Sequence, residues 1–125
     1  MRDMYSNIKT VPALVPAVQA AAANGSTVDL LGASAVAFVV STGAIVSSGD
    51  FGVKLQDSDD GTTWADVVAA QVKTDAPATL LDGKTYRLGY HGHKRYARVA
   101  LTKAGGTSIA AGAVAILSPC NKPVA

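Results

Sequence analysis

The stretch from Tyr86 to Thr102, YRLGYHGHKRYARVALT, constrains the fold more than any other part of the sequence. Its apolar side chains alternate along two runs, which are Tyr86, Leu88 and Tyr90, then Ala97, Val99 and Leu101. Alternation is typical of a strand with one buried face, because successive side chains point to opposite sides of a sheet. The stretch therefore predicts a β-hairpin with a basic turn, residues 91–95, whose apolar face is covered by other strands.

Other runs predict further strands. Residues 51–56, FGVKLQ, show the clearest alternation between apolar and polar side chains. Residues 34–41, SAVAFVVS, are mostly apolar and predict a central strand that is buried on both faces. Residues 108–117, SIAAGAVAIL, predict a last strand whose small side chains allow another backbone to approach closely.

A second hairpin is predicted at Asn24-Gly25, a strong turn signal between the alternating residues 18–20 and 28–30. In total the chain shows about eight or nine short strands, at the spacing that all-β sandwiches have. A chain of 125 residues is expected to form one domain. The predicted fold is all-β, a single-domain antiparallel β-sandwich of the jelly-roll or immunoglobulin-like kind. The sequence does not give the order of the strands.

The N-terminal residues differ from the rest because Pro12 and Pro16 remove backbone donors and favour extended geometry. They predict either an arm that reaches a neighbouring subunit or an edge strand on the chain's own sheet. Both interpretations stay open at this point. We divide the chain into an extended N-terminal arm, residues 1–16, and a β-sandwich domain, residues 17–125.

Composition argues against several classes of protein. The formal net charge is +2 and the chain contains no glutamate, whereas a dedicated nucleic-acid-binding domain is strongly basic. No run of about 18 apolar residues occurs, so no membrane span is predicted. The N-terminus lacks the apolar core of a secretory signal, which predicts a protein that is used without export by that route.

Catalytic and metal-binding patterns are weak. No serine lies in a G-x-S-x-G turn, and most aspartates lie in predicted turns. Asp57, Asp59 and Asp60 offer oxygen ligands for Ca²⁺, but the glutamate that completes an EF-hand is absent. His91 and His93 offer two zinc ligands without a convincing second pair. We therefore expect no enzyme, cofactor, metal site or small-molecule substrate.

The predicted hairpin carries the densest positive charge of the chain, interleaved with tyrosines: Arg87, Lys94, Arg95 and Arg98, with Tyr86, Tyr90 and Tyr96. Arginine and tyrosine suit a nucleic-acid surface, where they contact phosphates and stack on bases. The same residues are enriched at protein interfaces. Because the net charge is small, the pattern favours a protein partner over nucleic acid.

Three segments together resemble the small structural proteins encoded in the head gene clusters of tailed bacteriophages. They are residues 4–8, MYSNI, the acidic turn from Gln56 to Trp64, and the stretch from Tyr86 to Thr102. The family is identified by a Met-Tyr-x-Asn-Ile-like arm, a QDSDDGTTW-like turn and a YRxGYxGxKRYxRVxLT-like hairpin. The resemblance covers the chain almost end to end, and the two histidines of the hairpin depart from the pattern.

The resemblance implies a capsid decoration or cementing protein, often a trimer at local three-fold positions of the shell. The implied partner is the major capsid protein, and the implied location is the capsid exterior of the virion, after synthesis in the host bacterial cytoplasm. Capsid and neighbour contacts are then expected from the arm and the hairpin, at Tyr5, Ile8, Val11, Leu14, Arg87, His91, His93, Lys94, Arg95 and Arg98.

Other interpretations stay open. One is a phage tail or head-fibre base component with the same sandwich fold. Another is a carbohydrate-binding module, in which Trp64 would stack on a sugar ring. The single cysteine, Cys120, is either an inert thiol or part of an intersubunit disulfide under oxidising conditions.

Overall fold

The computed structural model describes residues 4–77 and 79–119 and contains two antiparallel sheets packed on one core. The strands are β1 (Lys9–Gln19), β2 (Ala23–Asn24), β3 (Val28–Asp29), β4 (Ala33–Val46), β5 (Asp50–Ser58), β6 (Ala65–Asp66), β7 (Val72–Thr74), β8 (Thr85–Tyr90), β9 (Tyr96–Gly105) and β10 (Ser108–Pro119). The first sheet has the order β1-β10-β4-β8-β7. The second sheet has the order β2-β9-β5-β6, and β3 also pairs with β9. The predicted all-β sandwich is confirmed.

The strand pairing shows that the chain folds as one long hairpin wrapped into a double sheet. β1 pairs with β10, β2 and β3 with β9, β4 with β8, and β5 with β6. Partners thus follow each other in reverse order along the chain. Three further pairings, β10 with β4, β9 with β5 and β7 with β8, complete the sheets. This is a jelly-roll topology, so the strand order selects one of the two predicted architectures.

The predicted hairpin within residues 86–102 is wrong. β8 belongs to the first sheet and β9 to the second, so residues 91–95 cross between the sheets. The alternation itself is confirmed, because the following side chains are all buried: Tyr86, Leu88, Tyr90, Ala97, Val99 and Leu101. A crossover buries the same side chains as a hairpin would, since the two apolar faces then meet across the core. Alternation therefore determines the buried face of a strand and leaves its pairing partner open.

The predicted hairpin at Asn24-Gly25 is also wrong. β2 and β3 do not pair with each other, and both pair with β9. Between them the Gly25 N–H donates to the Val99 carbonyl oxygen at 2.7 Å, and the Ser26 N–H donates to the Ala13 carbonyl oxygen at 2.7 Å. Val99 lies in β9 and Ala13 in β1, so this segment joins the edges of the two sheets. Its amides are satisfied by neighbouring strands, which removes the need for a hairpin.

The N-terminal segment is an edge strand of the chain's own sheet. β1 pairs with β10, and register shifts occur on either side of Leu14, close to Pro12 and Pro16. Such irregularities allow an edge strand to keep pairing where prolines lack a donor. Ala13 is fully buried, so residues 9–16 belong to the sandwich. The predicted division of arm and sandwich after residue 16 is therefore corrected, because it would fall inside β1.

The core lies between the two sheets. Its largest fully buried apolar side chains are Phe38, Phe51, Leu55, Leu80, Leu88, Leu101 and Ile109. The alternation predicted for residues 51–56 is confirmed in β5. The predicted central strand is confirmed as β4, but only its inward face is fully buried and Ser41 on the other side is exposed. Within the described part of the chain, no helix has the length and apolar character required to cross a bilayer.

Candidate protein interface

The outer face of the first sheet is apolar across three strands. Val39 lies opposite Val114, which lies opposite Pro12, and the next row places Ala37 opposite Ile116. We call the outward side chains of β1, β10 and β4 the apolar face, defined by Pro12, Val18, Ala37, Val39, Val114 and Ile116. None of these residues is charged. A partner that covered this face would meet mainly apolar groups, with the hydroxyls of Thr10 and Ser41 beside them.

Several residues of the apolar face are well exposed. Val18 is 70% exposed and Val114 is 42% exposed. Two shallow hollows of about 530 and 420 Å³ lie on this surface, and both include Val114 and Pro16 in their walls. Contiguous apolar surface of this kind is typical of interaction sites. The apolar face is therefore the candidate interface.

The edge of the first sheet is less suited to a partner than its face. Pro12 and Pro16 lie in the edge strand β1 and have no N–H to offer to an added strand. Prolines on an edge discourage pairing with another chain. We therefore expect a partner to lie over the apolar face.

At the other end of the same outer face, on β8 and β7, the first sheet carries charged side chains. The Arg87 backbone N–H donates to Oδ1 of Asp75 at 2.8 Å, and the Arg87 Nε donates to Oδ2 at 3.4 Å. The backbone hydrogen bond, followed by the contact with the guanidinium, holds the pKa of Asp75 below its ordinary value. Lys73 lies opposite Gly89, and Gly89 lies opposite Ala37 of the apolar face. The outer surface of this sheet thus changes from apolar to charged towards β7.

The outer face of the second sheet is a network of polar groups, which we call the polar face. Gln56 Nε2 and Lys54 Nζ both donate to Asp66, at 2.9 and 3.2 Å, and hold the pKa of Asp66 below its ordinary value. Arg98 Nε donates to Gln56 Oε1 at 2.9 Å, and its guanidinium lies 4.3 Å from the centre of the Trp64 ring. One side of Trp64 is therefore covered and unavailable for stacking on a sugar.

The predicted basic group is dispersed over the molecule. Arg87 lies on the first sheet, whereas Arg98 lies on the polar face. Lys94 Nζ lies 3.7 Å from a carboxylate oxygen of Asp59. Arg95 donates two hydrogen bonds of 3.0 Å to Asp29. The structure does not bring these four cations into one patch, and each has an acidic or polar neighbour.

The two histidines line different hollows. His91 is in the wall of a hollow of about 360 Å³ beside Lys73 and Arg87. His93 is in the wall of another, of about 380 Å³, beside Leu30. The arrangement does not present them as two ligands of one site. Among residues 4–77 and 79–119, no cluster of three or more histidine, cysteine or acidic side chains could hold a metal ion.

The predicted N-terminal contact residues have different environments. Tyr5 is 84% exposed and Ile8 is half-buried. Val11 packs against the main core, and Leu14 is only 6% exposed within it. Leu14 therefore offers little exposed surface to a partner, and its assignment as a contact residue stays a prediction. Cys120 lies outside the described residues.

The acidic turn is stabilised by its own backbone amides. Asp60 Oδ1 accepts hydrogen bonds from the Thr62 and Thr63 N–H groups at 2.9 and 3.0 Å. These bonds, with that of Thr63 the largest cause, lower the pKa of Asp60 to about 2. The Asp57 carboxylate is buried and accepts a hydrogen bond from the Tyr90 hydroxyl at 2.8 Å. Asp60 thus stabilises the turn, and Asp57 stabilises the contact between the sheets.

Sequence reasoning missed the residues of the apolar face and Lys73. The sequence does contain a signal for the apolar face, because residues 34–41 and 108–117 are apolar on both sides of the strand. A two-layer sandwich covers only one side of each strand. An outward valine such as Val39 or Val114 in such a run therefore indicates a surface that a partner can cover.

No protein-family model and no curated protein matches the sequence. A solved structure, that of the infectious bursal disease virus Gx strain, is similar over 91% of this chain and 32% of that chain. The sequence identity is 12% and the TM-score is 0.46. This chain spans about a third of the length of that one, and a similarity this distant carries no argument about function.

Proposed function

We propose that the protein is a non-enzymatic structural component of a bacteriophage particle, a decoration protein that binds the outer surface of the capsid and stabilises the shell. Its partner in this proposal is the major capsid protein. It occupies local three-fold positions as a homotrimer, on the capsid exterior, after synthesis in the host bacterial cytoplasm. The proposal includes no catalytic step and no cofactor.

The observation that carries the proposal is the apolar face. Its exposed valines, Val18 and Val114 among them, stand next to apolar hollows, while the polar face satisfies its own charges. Covering an apolar side chain completely is worth about 1.5–3 kcal/mol for a residue of this size. A broad surface of the shell laid on the apolar face would therefore be held mainly by burial.

The resemblance of the N-terminal segment, the acidic turn and residues 86–102 to phage head proteins supports the same function. A protein that binds only the assembled shell stabilises that shell by mass action, because binding lowers the free energy of the assembled state alone. Chemistry at the binding site is not required for this effect.

The test is co-sedimentation of the purified protein with empty, expanded capsids that lack it. We expect saturable binding at a fixed ratio to the major capsid protein, and that ratio indicates which symmetry positions are filled. Capsids that already carry a full complement of the protein are the matched control and should bind none. Intact capsids that bind no protein would contradict the proposal and would favour a tail or head-fibre base component.

The homotrimer is tested separately by sedimentation equilibrium of the free protein and by the stoichiometry on the capsid. A decoration trimer predicts three chains for each occupied three-fold position. One chain for each position would contradict the trimer and leave the capsid-binding role intact.

A further inference from the structure

We infer that the charged end of the first sheet, at β8 and β7, contains a carboxylate-binding notch at Gly89, bounded by Lys73, Arg87 and His91. The notch receives an aspartate or glutamate side chain of a shell protein that lies over the neighbouring apolar face. The identity of the partner rests on the proposed function, whereas the chemistry of the notch rests on the residues that form it.

The geometry follows from the register of the strands. Arg87, Gly89 and His91 are alternate residues, and they continue one side of β8. Lys73 of β7 lies directly opposite Gly89. Because Gly89 has no side chain, an open hollow of about 360 Å³ remains between Lys73, Arg87 and His91, with Ala37 in its wall.

The charges around the notch are not balanced. The Lys73 ammonium has no hydrogen-bond or ion-pair partner among the residues that the structure describes. Arg87 uses its Nε for Asp75, and its two terminal nitrogens have no partner within the same described residues. Of the residues described by the structure, Asp75 is the only acidic one in the wall of the hollow. Two cations thus face one carboxylate, which leaves positive charge for an incoming acid.

The available donors match a carboxylate. The terminal nitrogens of Arg87 and the ammonium of Lys73 form charge-assisted hydrogen bonds with carboxylate oxygens, which are stronger than neutral ones. An imidazole such as that of His91 donates from a protonated ring nitrogen. Among the other cations, Lys54, Lys94 and Arg95 already have a carboxylate partner. The notch combines two neighbouring cations that keep donors for an external acid.

The surroundings of the notch favour a protein over nucleic acid. The row that contains Gly89 continues through Ala37 and Ile116, so the notch opens directly beside the apolar face. A nucleic acid presents a continuous run of phosphates and requires a basic stripe. A protein segment with one acidic residue among apolar neighbours complements both the positive charge and the apolar surface.

Three variants test the notch. Lys73→Glu and Arg87→Glu reverse its charge, and Gly89→Val fills it without changing charge. A Cβ at position 89 would lie 3.6 Å from the Lys73 carbonyl oxygen and 3.8 Å from His91 Nε2, which are ordinary contact distances, so the strand accepts a side chain. Lys84→Glu is the matched control, because Lys84 is exposed and lies outside the hollow.

The first readout is affinity for empty capsids that lack the protein. We expect each of the three notch variants to bind roughly tenfold more weakly, the effect of losing one charge-assisted contact or the space for it. Lys84→Glu should change the affinity less than twofold. Lys73→Glu, Gly89→Val and Lys84→Glu should unfold at the urea concentration of the parent within error, whereas Arg87→Glu also loses its exposed ion pair with Asp75 and should unfold at a slightly lower concentration. Equal effects of Lys73→Glu and Lys84→Glu, or unchanged binding of the notch variants, would overturn the inference.

The second readout does not depend on capsids. An acetylated and amidated peptide of alternating glutamate and leucine is titrated into the protein and followed by amide chemical shifts. We expect shifts centred on Gly89 and His91, which disappear with Lys73→Glu and with a peptide that carries glutamine for glutamate. Shifts centred elsewhere would overturn the notch, as would tighter binding of a single-stranded oligonucleotide there. Shifts at the notch without capsid binding would support the notch and contradict the proposed function.

Discussion

The two outer faces of this jelly roll differ in polarity: one carries polar and charged side chains, and the other carries mostly apolar ones. The polar face of the second sheet carries Lys54, Gln56, Asp66 and Arg98, which bond to one another and to the Trp64 ring. The apolar face of the first sheet carries no charged side chain at its centre, and Val18 and Val114 are open to solvent. The inner sides of both sheets are mostly apolar. The difference therefore lies in what each outer side is expected to meet.

The two faces differ in the free energy that each would gain if a partner covered it. A network of paired charges is stable in water and gains little from a partner, because each charge would lose solvent on binding. Exposed apolar side chains gain from being covered, in proportion to the area removed from water. The first sheet should therefore control assembly, and the second should control solubility.

The largest effect is expected from a charge on the apolar face. Val114→Asp places a carboxylate where the proposed partner must be apolar, so capsid affinity should fall about 100-fold or more, the range of an interface hot spot. Stability should fall by about 1 kcal/mol, because Val114 is only 42% exposed and aspartate is disfavoured in a strand that pairs on both sides. Co-sedimentation gives the affinity, and urea unfolding gives the stability.

The matched control is Thr102→Asp, which introduces the same carboxylate on the polar face. Thr102 lies opposite Gly52 there. It should leave capsid binding unchanged. If Thr102→Asp reduced binding as much as Val114→Asp, the distinction between the faces would be lost.

A smaller effect is expected from the bond that joins the two sheets inside the molecule. The Tyr90 hydroxyl, from the first sheet, donates to Asp57 of the second. Tyr90→Phe leaves the buried Asp57 carboxylate without this donor, which should cost about 1–3 kcal/mol of unfolding free energy. Tyr96→Phe on the polar face is the control and should cost less than about 0.5 kcal/mol. Equal losses for both variants in urea would show that position inside or outside the sandwich does not matter.

The same tyrosine predicts a loss of stability at alkaline pH. Burial, and then the hydrogen bond to Asp57, raise the pKa of Tyr90 from 10.0 to about 12. The native state then holds the proton more tightly than the unfolded chain, so this stabilisation is complete below pH 10 and is lost as the pH rises to about 12. The stability difference between the parent and Tyr90→Phe should shrink over that interval. A constant difference would contradict the assignment.

The smallest effect is expected at acid pH in the turn of the second sheet. Backbone amides, led by that of Thr63, lower the pKa of Asp60 to about 2 from 3.8. A lowered pKa means stabilisation that is present above pH 3.8 and is lost as the pH falls through about 2. The amide proton shifts of Thr62 and Thr63 should move together over this interval. Asp60→Asn should remove the titration, and its persistence in that variant would exclude Asp60 as the cause.

The buried residues were largely predictable from the sequence, whereas the pairing was not. Alternation correctly identifies the inward side chains from Tyr86 to Tyr90 and from Ala97 to Leu101, because it depends only on the two-residue period of a strand. It cannot distinguish a hairpin from a crossover, since both bury the same side chains. The Asn24-Gly25 signal failed for a similar reason, because β9 satisfies the backbone on both sides of it.

The candidate site was predictable only in part. Arg87 and His91 were expected to contact a partner and lie at the proposed notch. Arg95 was assigned to the same basic surface, but its partner, Asp29, lies 66 residues earlier in the chain. Such a pairing depends on tertiary structure and leaves no local sequence signal. Lys73 was missed because its position opposite Gly89 results from a strand pairing that the sequence does not show.

The most direct test of the central claim is a cryo-electron microscopy map of empty capsids saturated with the protein. We expect the apolar face, with Val39 and Val114, to lie against the shell and the polar face, with Arg98 and Trp64, to point to solvent. A map with the polar face against the shell and the apolar face in solvent would contradict it.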